Sequence, residues 1–435
     1  MAGKSAKNLL KLLEKSGIAD QDALKESLGS LSAKMDGEAV GTKELTAHLI
    51  ESGIITQWHA DKLLVGKYKG FFLDKYKLLG LLGTGGMSSV YLAESRPTGK
   101  KRAIKVLPKK KVSDKSYLDR FYREGQAAAS LNHPNIVRVY DINASGDTHY
   151  MVMEHVQGAD LYETVRDSGP LPIDEAVDSI YQSAEGLLHA HEKGMVHRDV
   201  KPANLLRTDN NSIKILDLGL ALFNTEGEES LTVMYNEKVM GTADYLSPEQ
   251  AVNSHEVDHR ADIYSLGCTL YFLLTGRPPY DKGTLAQRIA MHQSKEPDSI
   301  LDSREDCPQG FIEICTKMMR KNPDDRFADC NAVMKILKEF RESPDTFKLD
   351  LPPPTPVVAK EPAPVKEVET EPVMAKSDDP YSIDSAFTSS GRVANAPAIR
   401  RRRKKSASKW LMPTIIFGMI FGLVAVLVVV SKLVS

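Results

Sequence analysis

The stretch HRDVKPAN, His197–Asn204, followed by LLRTDNNSIKIL and then by DLG from Asp217, decides the fold of this chain. It predicts a polar loop, two short strands joined by a turn, and a second polar loop. The turn would bring Asn204 and Asp217 close together, and both side chains offer oxygen ligands suited to Mg²⁺. Asp199 lies on the first loop as a candidate base.

Further upstream, glycines interrupt a strand-like pattern in KLLGLLGTGGMSSVYLAESRPTGKKRAIKVL, which begins at Lys77. The pattern predicts a hairpin whose glycine N–H groups could approach a polyphosphate, although such glycines alone more often only join two strands. The next strand carries Lys105, and the following amphipathic helix carries Glu124. This acid could pair with the lysine and leave ammonium donors for phosphate oxygens. In YMVMEHVQGADL, the backbone of Glu154 and Val156 could bind an adenine edge.

Together these motifs resemble the eukaryotic-like protein kinase family, in its bacterial serine/threonine branch, from Tyr76 to Phe340. The resemblance implies an α+β, two-lobed protein kinase fold. It also implies ATP and Mg²⁺ as cofactors and transfer of the γ-phosphate to Ser or Thr hydroxyls of protein substrates.

The resemblance also implies a role for individual residues. Nucleotide contacts fall on Leu82, Gly83, Thr84, Gly85, Gly86, Ser88, Val90, Ala103, Lys105, Glu124, Met153, Glu154, Val156, Asp160 and Leu206. Asn204 and Asp217 would be the magnesium ligands. Asp199 would accept or orient the substrate hydroxyl and Lys201 would steady the γ-phosphate, with Lys105 and Thr242 completing the catalytic set.

Three further residues look structural in role. Glu249 and Arg326 resemble the buried ion pair of the family's large lobe, and Asp262 resembles the helix residue that braces the catalytic loop.

The chain departs from the family pattern at four positions. Ser88 replaces a glycine of the nucleotide-covering loop, which predicts weaker clamping of the nucleotide but not its loss. Leu218 stands where phenylalanine is usual, Ser247 where alanine is usual, and His155 where the connector often has an aromatic residue. None of these argues against activity.

Arg198, beside Asp199, needs a negative partner. We expect phosphorylation of Thr232 or Ser230, with Thr225 a further candidate, to order the loop between Asp217 and Glu249. The alternative is that the acidic residues at 226, 228 and 229 already supply the charge.

At the far end, residues 410–431 read WLMPTIIFGMIFGLVAVLVVVS without a charged residue, which predicts one transmembrane helix. The basic segment 400–409 precedes it, and the positive-inside rule then keeps everything N-terminal in the cytoplasm. We therefore expect a C-terminal anchor in the plasma membrane with no sensor domain beyond it.

Ten of the 23 prolines fall within 343–399, which predicts a disordered, partly polyproline tether.

At the other end, the pattern in 1–70 predicts a small α-helical module of two similar hairpins, since LLEKSGIADQDAL at Leu12 echoes LIESGIITQWHADKLL at Leu49. A cleaved signal peptide is not expected there.

The four cysteines lack metal-ligand spacing, which favours buried, reduced thiols. The net charge of −1 gives no global field to recruit nucleic acid.

Two alternative functions stay open. A pseudokinase scaffold would bind nucleotide or partners without transfer, but Lys105, Glu124, Asp199, Asn204 and Asp217 are all present. A small-molecule phosphotransferase is disfavoured, because GTADYLSPE resembles the peptide-positioning part of protein kinases. A protein kinase that also phosphorylates itself in trans is the leading interpretation.

Overall fold

The computed structural model describes residues 5–35, 39–84, 88–108, 112, 115–218, 243–252 and 257–355. The chain begins with four helices, α1 (Ala6–Ser16), α2 (Gln21–Lys34), α3 (Thr42–Glu51) and α4 (Gln57–Leu64). They form the two expected helical hairpins, and a glycine with positive φ follows the first helix of each, Gly17 and Gly53. Leucines from both hairpins build a shared core.

The small lobe is a six-stranded antiparallel sheet in the order β1-β2-β3-β4-β6-β5, with helix α5 (Lys115–Ala129). Its strands are β1 (Phe72–Leu73), β2 (Tyr76–Thr84), β3 (Ser89–Ser95), β4 (Lys101–Val106), β5 (Val139–Ser145) and β6 (Thr148–Glu154). Alternate residues of β3 are buried, as the alternating sequence pattern predicts.

The large lobe is mostly helical. It contains a three-stranded sheet, β7 (Gly158–Asp160), β8 (Leu205–Thr208) and β9 (Ile213–Ile215). Its helices are α6 (Leu161–Ser168), α7 (Ile173–Glu192), α8 (Pro248–Val252), α9 (Arg260–Thr275), α10 (Leu285–Ser294), α11 (Gln309–Met318) and α12 (Cys330–Glu342). Every residue of α9 from Ala261 to Leu274 is buried, so this helix is the centre of the lobe.

All four cysteines are unpaired and buried, as expected.

The segment that the sequence assigns to a tether starts against the large lobe. Phe347 packs on Phe340, Arg320 donates to the Pro352 carbonyl at 3.0 Å, and the Thr355 hydroxyl donates to Asp325 at 2.7 Å. Residues 343–355 therefore differ from the expected free tether, because an aromatic ring and backbone groups give them partners.

The rest of the predicted tether, the basic segment 400–409 and the predicted span 410–431 lie outside the described residues. Within the part of the chain that the structure describes, no helix combines the length and the apolar character needed to cross a bilayer.

The ion pair expected between Glu249 and Arg326 is present. The guanidinium donates to both carboxylate oxygens, at 2.6 and 2.7 Å, and its side chain is fully buried. It also donates to the carbonyls of Arg260, Arg320 and Lys321. All three nitrogen atoms of the Arg326 guanidinium therefore have partners, and the ion pair joins α8 to the segment before α12.

Replacing Arg326 by Met should lower the free energy of unfolding by about 3–5 kcal/mol, because Glu249 and three carbonyls lose their donor. Urea denaturation followed by circular dichroism measures the change. Lys335→Met is the matched control, since Lys335 forms an exposed pair with Glu339 at 3.9 Å and its loss should cost less than about 1 kcal/mol. Equal effects of the two substitutions would contradict the structural role of Arg326.

Candidate active site

The loop that carries Asp199 is held by a buried carboxylate. Asp262, on α9, is completely buried and accepts from the backbone N–H of His197 at 2.8 Å and of Arg198 at 2.7 Å. His191 Nε2 lies 2.8 Å from the same carboxylate. These bonds stabilise Arg198 at a φ of +62°, a conformation that costs a non-glycine residue energy. Asp262 thus braces the loop, as the sequence suggests.

Asp262 is an anion despite its burial. Burial on its own would raise the pKa of this carboxyl group, but the hydrogen bond and charge of His191, with contributions from His197, keep it below the ordinary value. A carboxylate that accepts several N–H bonds in this way is favoured in its charged form. The brace is therefore intact at neutral pH.

Asp199, the candidate base, forms a compact cluster with two other predicted residues. Lys201 Nζ donates to its two carboxylate oxygens at 2.9 and 2.8 Å. Asn204 Nδ2 donates to the carbonyl of Asp199 at 2.7 Å and to its Oδ2 at 3.0 Å. These bonds hold the carboxylate of Asp199 in one direction, and a quarter of its side chain is exposed to solvent.

Lys105 and Asp217 join the two lobes. Lys105 Nζ, on β4, donates to Asp217 Oδ1 at 2.6 Å. Burial acts to raise the pKa of Asp217, but the charge and hydrogen bond of Lys105 outweigh it and hold the pKa below the usual value. Asp217 is therefore a carboxylate at neutral pH and is available as a metal ligand.

Glu124, the expected partner of Lys105, lies in the wall of the same cavity as Lys105 and Asp217. It is 5% exposed and sits on α5. Between these described side chains, the lysine's ion pair is with Asp217. The Lys105–Glu124 pair stays a prediction.

The hairpin β8–β9 brings Asn204 and Asp217 together, as the turn predicts. Leu205 pairs with Ile215, and Leu216 N–H donates to the Asn204 carbonyl at 2.9 Å. Asp217 follows directly with a φ of +55°. The two candidate magnesium ligands therefore lie at the open end of one hairpin.

The predicted nucleotide residues line neighbouring strands. Val90 pairs with both Gly83 and Lys105, Ala103 pairs with Met153, and Asp160 pairs with Leu206. Leu82 and Thr84 end β2, Ser88 precedes β3, and Val156 follows β6. The side chain of Glu154 accepts from Lys214 at 3.0 Å, and its backbone N–H donates to the Arg138 carbonyl at 2.8 Å. The contact between this backbone and an adenine edge stays a prediction.

Several predicted residues fall outside the described part of the chain. These are Gly85, Gly86, Thr242 and the candidate phosphorylation sites Thr225, Ser230 and Thr232.

Sequence reasoning missed Gln250. Its Nε2 donates to the Arg198 carbonyl at 2.8 Å, and its Oε1 accepts from the N–H and hydroxyl of Ser247. This amide connects the SPE segment to the catalytic loop. The position of Gln250 directly after Glu249 could have suggested a role for it, but its partner Arg198 lies 52 residues earlier in the sequence.

The departures from the family pattern fit their surroundings. Ser247 is fully buried and gains the bond to Gln250, and Leu218 is 7% exposed in the cavity wall. Ser88 is 7% exposed. His155 is half-buried, and its burial lowers the pKa of the ring, so it is neutral at physiological pH.

Comparison with known proteins places this geometry in a family. The family model described as "Protein kinase domain" matches residues 76–339, more than half of the chain. The chain therefore belongs to the protein kinase family, and the two-lobed fold implied by the resemblance is confirmed.

Individual relatives are bacterial kinases. The chain is 39% identical over 258 residues to serine/threonine-protein kinase PknB of Mycobacterium leprae, which covers 58% of this chain and 41% of that protein. It is 39% identical over 266 residues to serine/threonine-protein kinase PrkC of Bacillus subtilis, which covers 61% and 40%. The crystal structure of the M. tuberculosis PknI kinase domain matches with a TM-score of 0.50 at 27% identity, covering 63% of this chain and 98% of that one. The chain spans about two fifths of the length of PknB and PrkC.

Asp262→Asn should lower the free energy of unfolding by about 2–3 kcal/mol, because one side-chain oxygen becomes an NH₂ group that cannot accept a backbone N–H. Urea denaturation measures the loss. Asp258→Asn is the matched control, since Asp258 is a partly exposed partner of Arg260 near the start of α9. If the two variants lose equal stability, Asp262 does not brace the loop.

Proposed function

We propose that this chain is a serine/threonine protein kinase that transfers the γ-phosphate of ATP to Ser or Thr hydroxyls of proteins. The observation that carries the proposal is the cluster of Asp199, Lys201 and Asn204 beside the Lys105–Asp217 pair. Phosphoryl transfer asks a protein mainly to position its reactants and to supply positive charge around the phosphate oxygens. These five residues supply both.

In the proposed reaction the hydroxyl oxygen of the substrate forms a bond to the γ-phosphorus, and the bond from that phosphorus to the β,γ-bridging oxygen breaks. ADP leaves with the electron pair of that bond. The hydroxyl proton passes to the carboxylate of Asp199, which Lys201 and Asn204 hold in one orientation. The ammonium of Lys201 is also within reach of a transferred phosphoryl group placed near Asp199.

The residues present fit a magnesium ion. Asn204 donates its Nδ2 to Asp199, which leaves its side-chain oxygen as a ligand, and Asp217 is a carboxylate. Both are the hard oxygen donors that Mg²⁺ prefers. When bound, the ion would neutralise charge on the phosphate oxygens, while Lys105 orients Asp217 and contacts the α- and β-phosphates.

The serine/threonine class of substrate is supported by Lys201 and by the names of PknB and PrkC. The alternative, a nucleotide-binding scaffold without transfer, is disfavoured because every residue that the chemistry requires is present. Among those that the structure describes, Lys201 and Asn204 both donate hydrogen bonds to Asp199.

We further propose that residues 410–431 anchor the kinase in the plasma membrane and that neighbouring copies phosphorylate one another on Thr232, Ser230 or Thr225. The proposal is supported by the uncharged sequence of 22 residues and the basic segment before it. Confinement to a membrane raises the effective concentration of one copy around another.

Asp199→Asn in the full chain should reduce phosphate transfer from labelled ATP at least about 100-fold, because an amide cannot accept the hydroxyl proton. The assay uses Mg²⁺, a mixed protein substrate and phosphoamino-acid analysis. Binding of a fluorescent ATP analogue is the control and should be unchanged. Nucleotide binding without transfer by the unaltered chain would move the conclusion to a scaffold.

Deleting 411–434 should lower phosphorylation of residues 222–242 at equal total concentration, because the copies are no longer confined to one surface. Phosphopeptide mass spectrometry of cells producing either form measures it. A chain with an unrelated apolar span of equal length is the control and should restore phosphorylation. An unchanged level after deletion would refute the role of the anchor.

A further inference from the structure

The N-terminal helical module is joined to the small lobe by a closed set of hydrogen bonds. The hydroxyl of Thr56, the N-cap of α4, donates to the Leu79 carbonyl at 2.5 Å and accepts from the His59 N–H. His59 Nδ1 accepts from the Thr56 N–H at 3.1 Å, so its Nε2 carries the proton and donates to the Leu78 carbonyl at 2.6 Å. The helix cap and the contact with β2 are therefore made by the same two side chains.

His59 stays neutral in this arrangement. It is completely buried, and burial lowers the pKa of its ring to about 4, with the charge of Lys77 acting in the same direction. At neutral pH the ring therefore keeps one nitrogen as acceptor and one as donor, as both bonds require.

The module also contacts β3, the second strand of the nucleotide-covering hairpin. The Trp58 ring lies edge-on to Tyr91 with centroids 6.1 Å apart, and Tyr91 is next to Val90 and pairs with Leu81. Trp58 packs in the cores of both the module and the small lobe. Consecutive residues of α4 thus hold both strands of the hairpin.

The internal repeat shows that these residues are not needed to build a helical hairpin. SGIADQDA in the first hairpin, from Ser16, aligns without gaps with SGIITQWH in the second, from Ser52. The positions of Thr56, Trp58 and His59 are Asp20, Asp22 and Ala23 in the first copy. There Asp20 caps α2 by itself, accepting from the N–H of Asp22 and Ala23. Thr56, Trp58 and His59, which contact the kinase lobe, are therefore specific to the second copy.

The carbonyls that Thr56 and His59 hold lie at an irregularity of β2. Leu78 pairs with Ala93 and Gly80 with Leu92, so Leu79 is an extra residue in the strand. Such a bulge bends a strand and changes the direction of the residues after it. Those residues include Leu82, Gly83 and Thr84, where β2 ends.

We infer that Thr56 and His59 are positioning residues for ATP: they fix the bulge of β2 and thereby the direction of residues 80–84, which lead into the nucleotide-covering loop. The four N-terminal helices then form a part of the support of the nucleotide site. This inference rests on the proposed kinase function, because it assigns ATP to that loop.

The test compares Thr56→Val, Thr56→Ser and Asp20→Ala in the full chain, with kcat and the KM for ATP and for the protein substrate. Thr56→Val removes the hydroxyl and leaves the Leu79 carbonyl without its donor, so the KM for ATP should rise about fivefold while kcat changes less than about twofold. Thr56→Ser keeps the hydroxyl and should restore the KM. Asp20→Ala removes the equivalent cap without touching the lobe, so the KM for ATP should not change.

Hydrogen exchange of residues 80–84 gives a second readout that does not depend on phosphate transfer. We expect these amides to exchange faster in Thr56→Val and in His59→Phe, which keeps the ring but removes both nitrogens, than in Asp20→Ala. If the unaltered chain transfers no phosphate, the proposed function fails, and this comparison still decides whether Thr56 and His59 position the end of β2. Equal exchange at 80–84 in all variants, or an equal KM for ATP in Thr56→Val and Asp20→Ala, would overturn it.

Discussion

The charge of Asp262 is the constraint on which the candidate active site depends. A carboxylate without bulk water is stable only when hydrogen bonds replace its hydration, and here two backbone N–H groups and one imidazole do so. Those N–H groups belong to a loop in an unfavourable conformation. The buried anion and the strained loop therefore stabilise each other, and α9 thereby fixes the position of Asp199.

The part of the candidate active site around Asp217 depends on an ion pair between the two lobes. Lys105 and Asp217 are 112 residues apart in sequence, yet their bond of 2.6 Å joins the sheet of the small lobe to the end of a hairpin in the large lobe. A pair of this kind sets the distance between the residues that would contact the phosphates and those that would bind the metal. Glu124, which the family resemblance suggests as the partner of Lys105, lines the same cavity as Lys105 and Asp217.

The sequence predicted those parts of the site that lie on short motifs. Asp199, Lys201 and Asn204 are within six residues of one another, so their clustering follows from local chain geometry. Gln250 could not be found in this way, because its partner is the carbonyl of Arg198, far away in sequence. The helical module was predicted from periodicity and an internal echo. Its attachment was not, since the acceptors are backbone carbonyls, which every strand has and no sequence pattern marks.

Phe71 and Leu73 are separated by a single residue, yet Phe71 belongs to the core of the helical module and Leu73 to the core of the small lobe. There is no spacer in which the chain could swivel. The family match starts at residue 76, beyond both residues and beyond strand β1. The folding boundary of this protein is therefore earlier than its family boundary. The helices therefore cannot be transferred to another kinase as an independent unit, because strand β1 must be transferred with them.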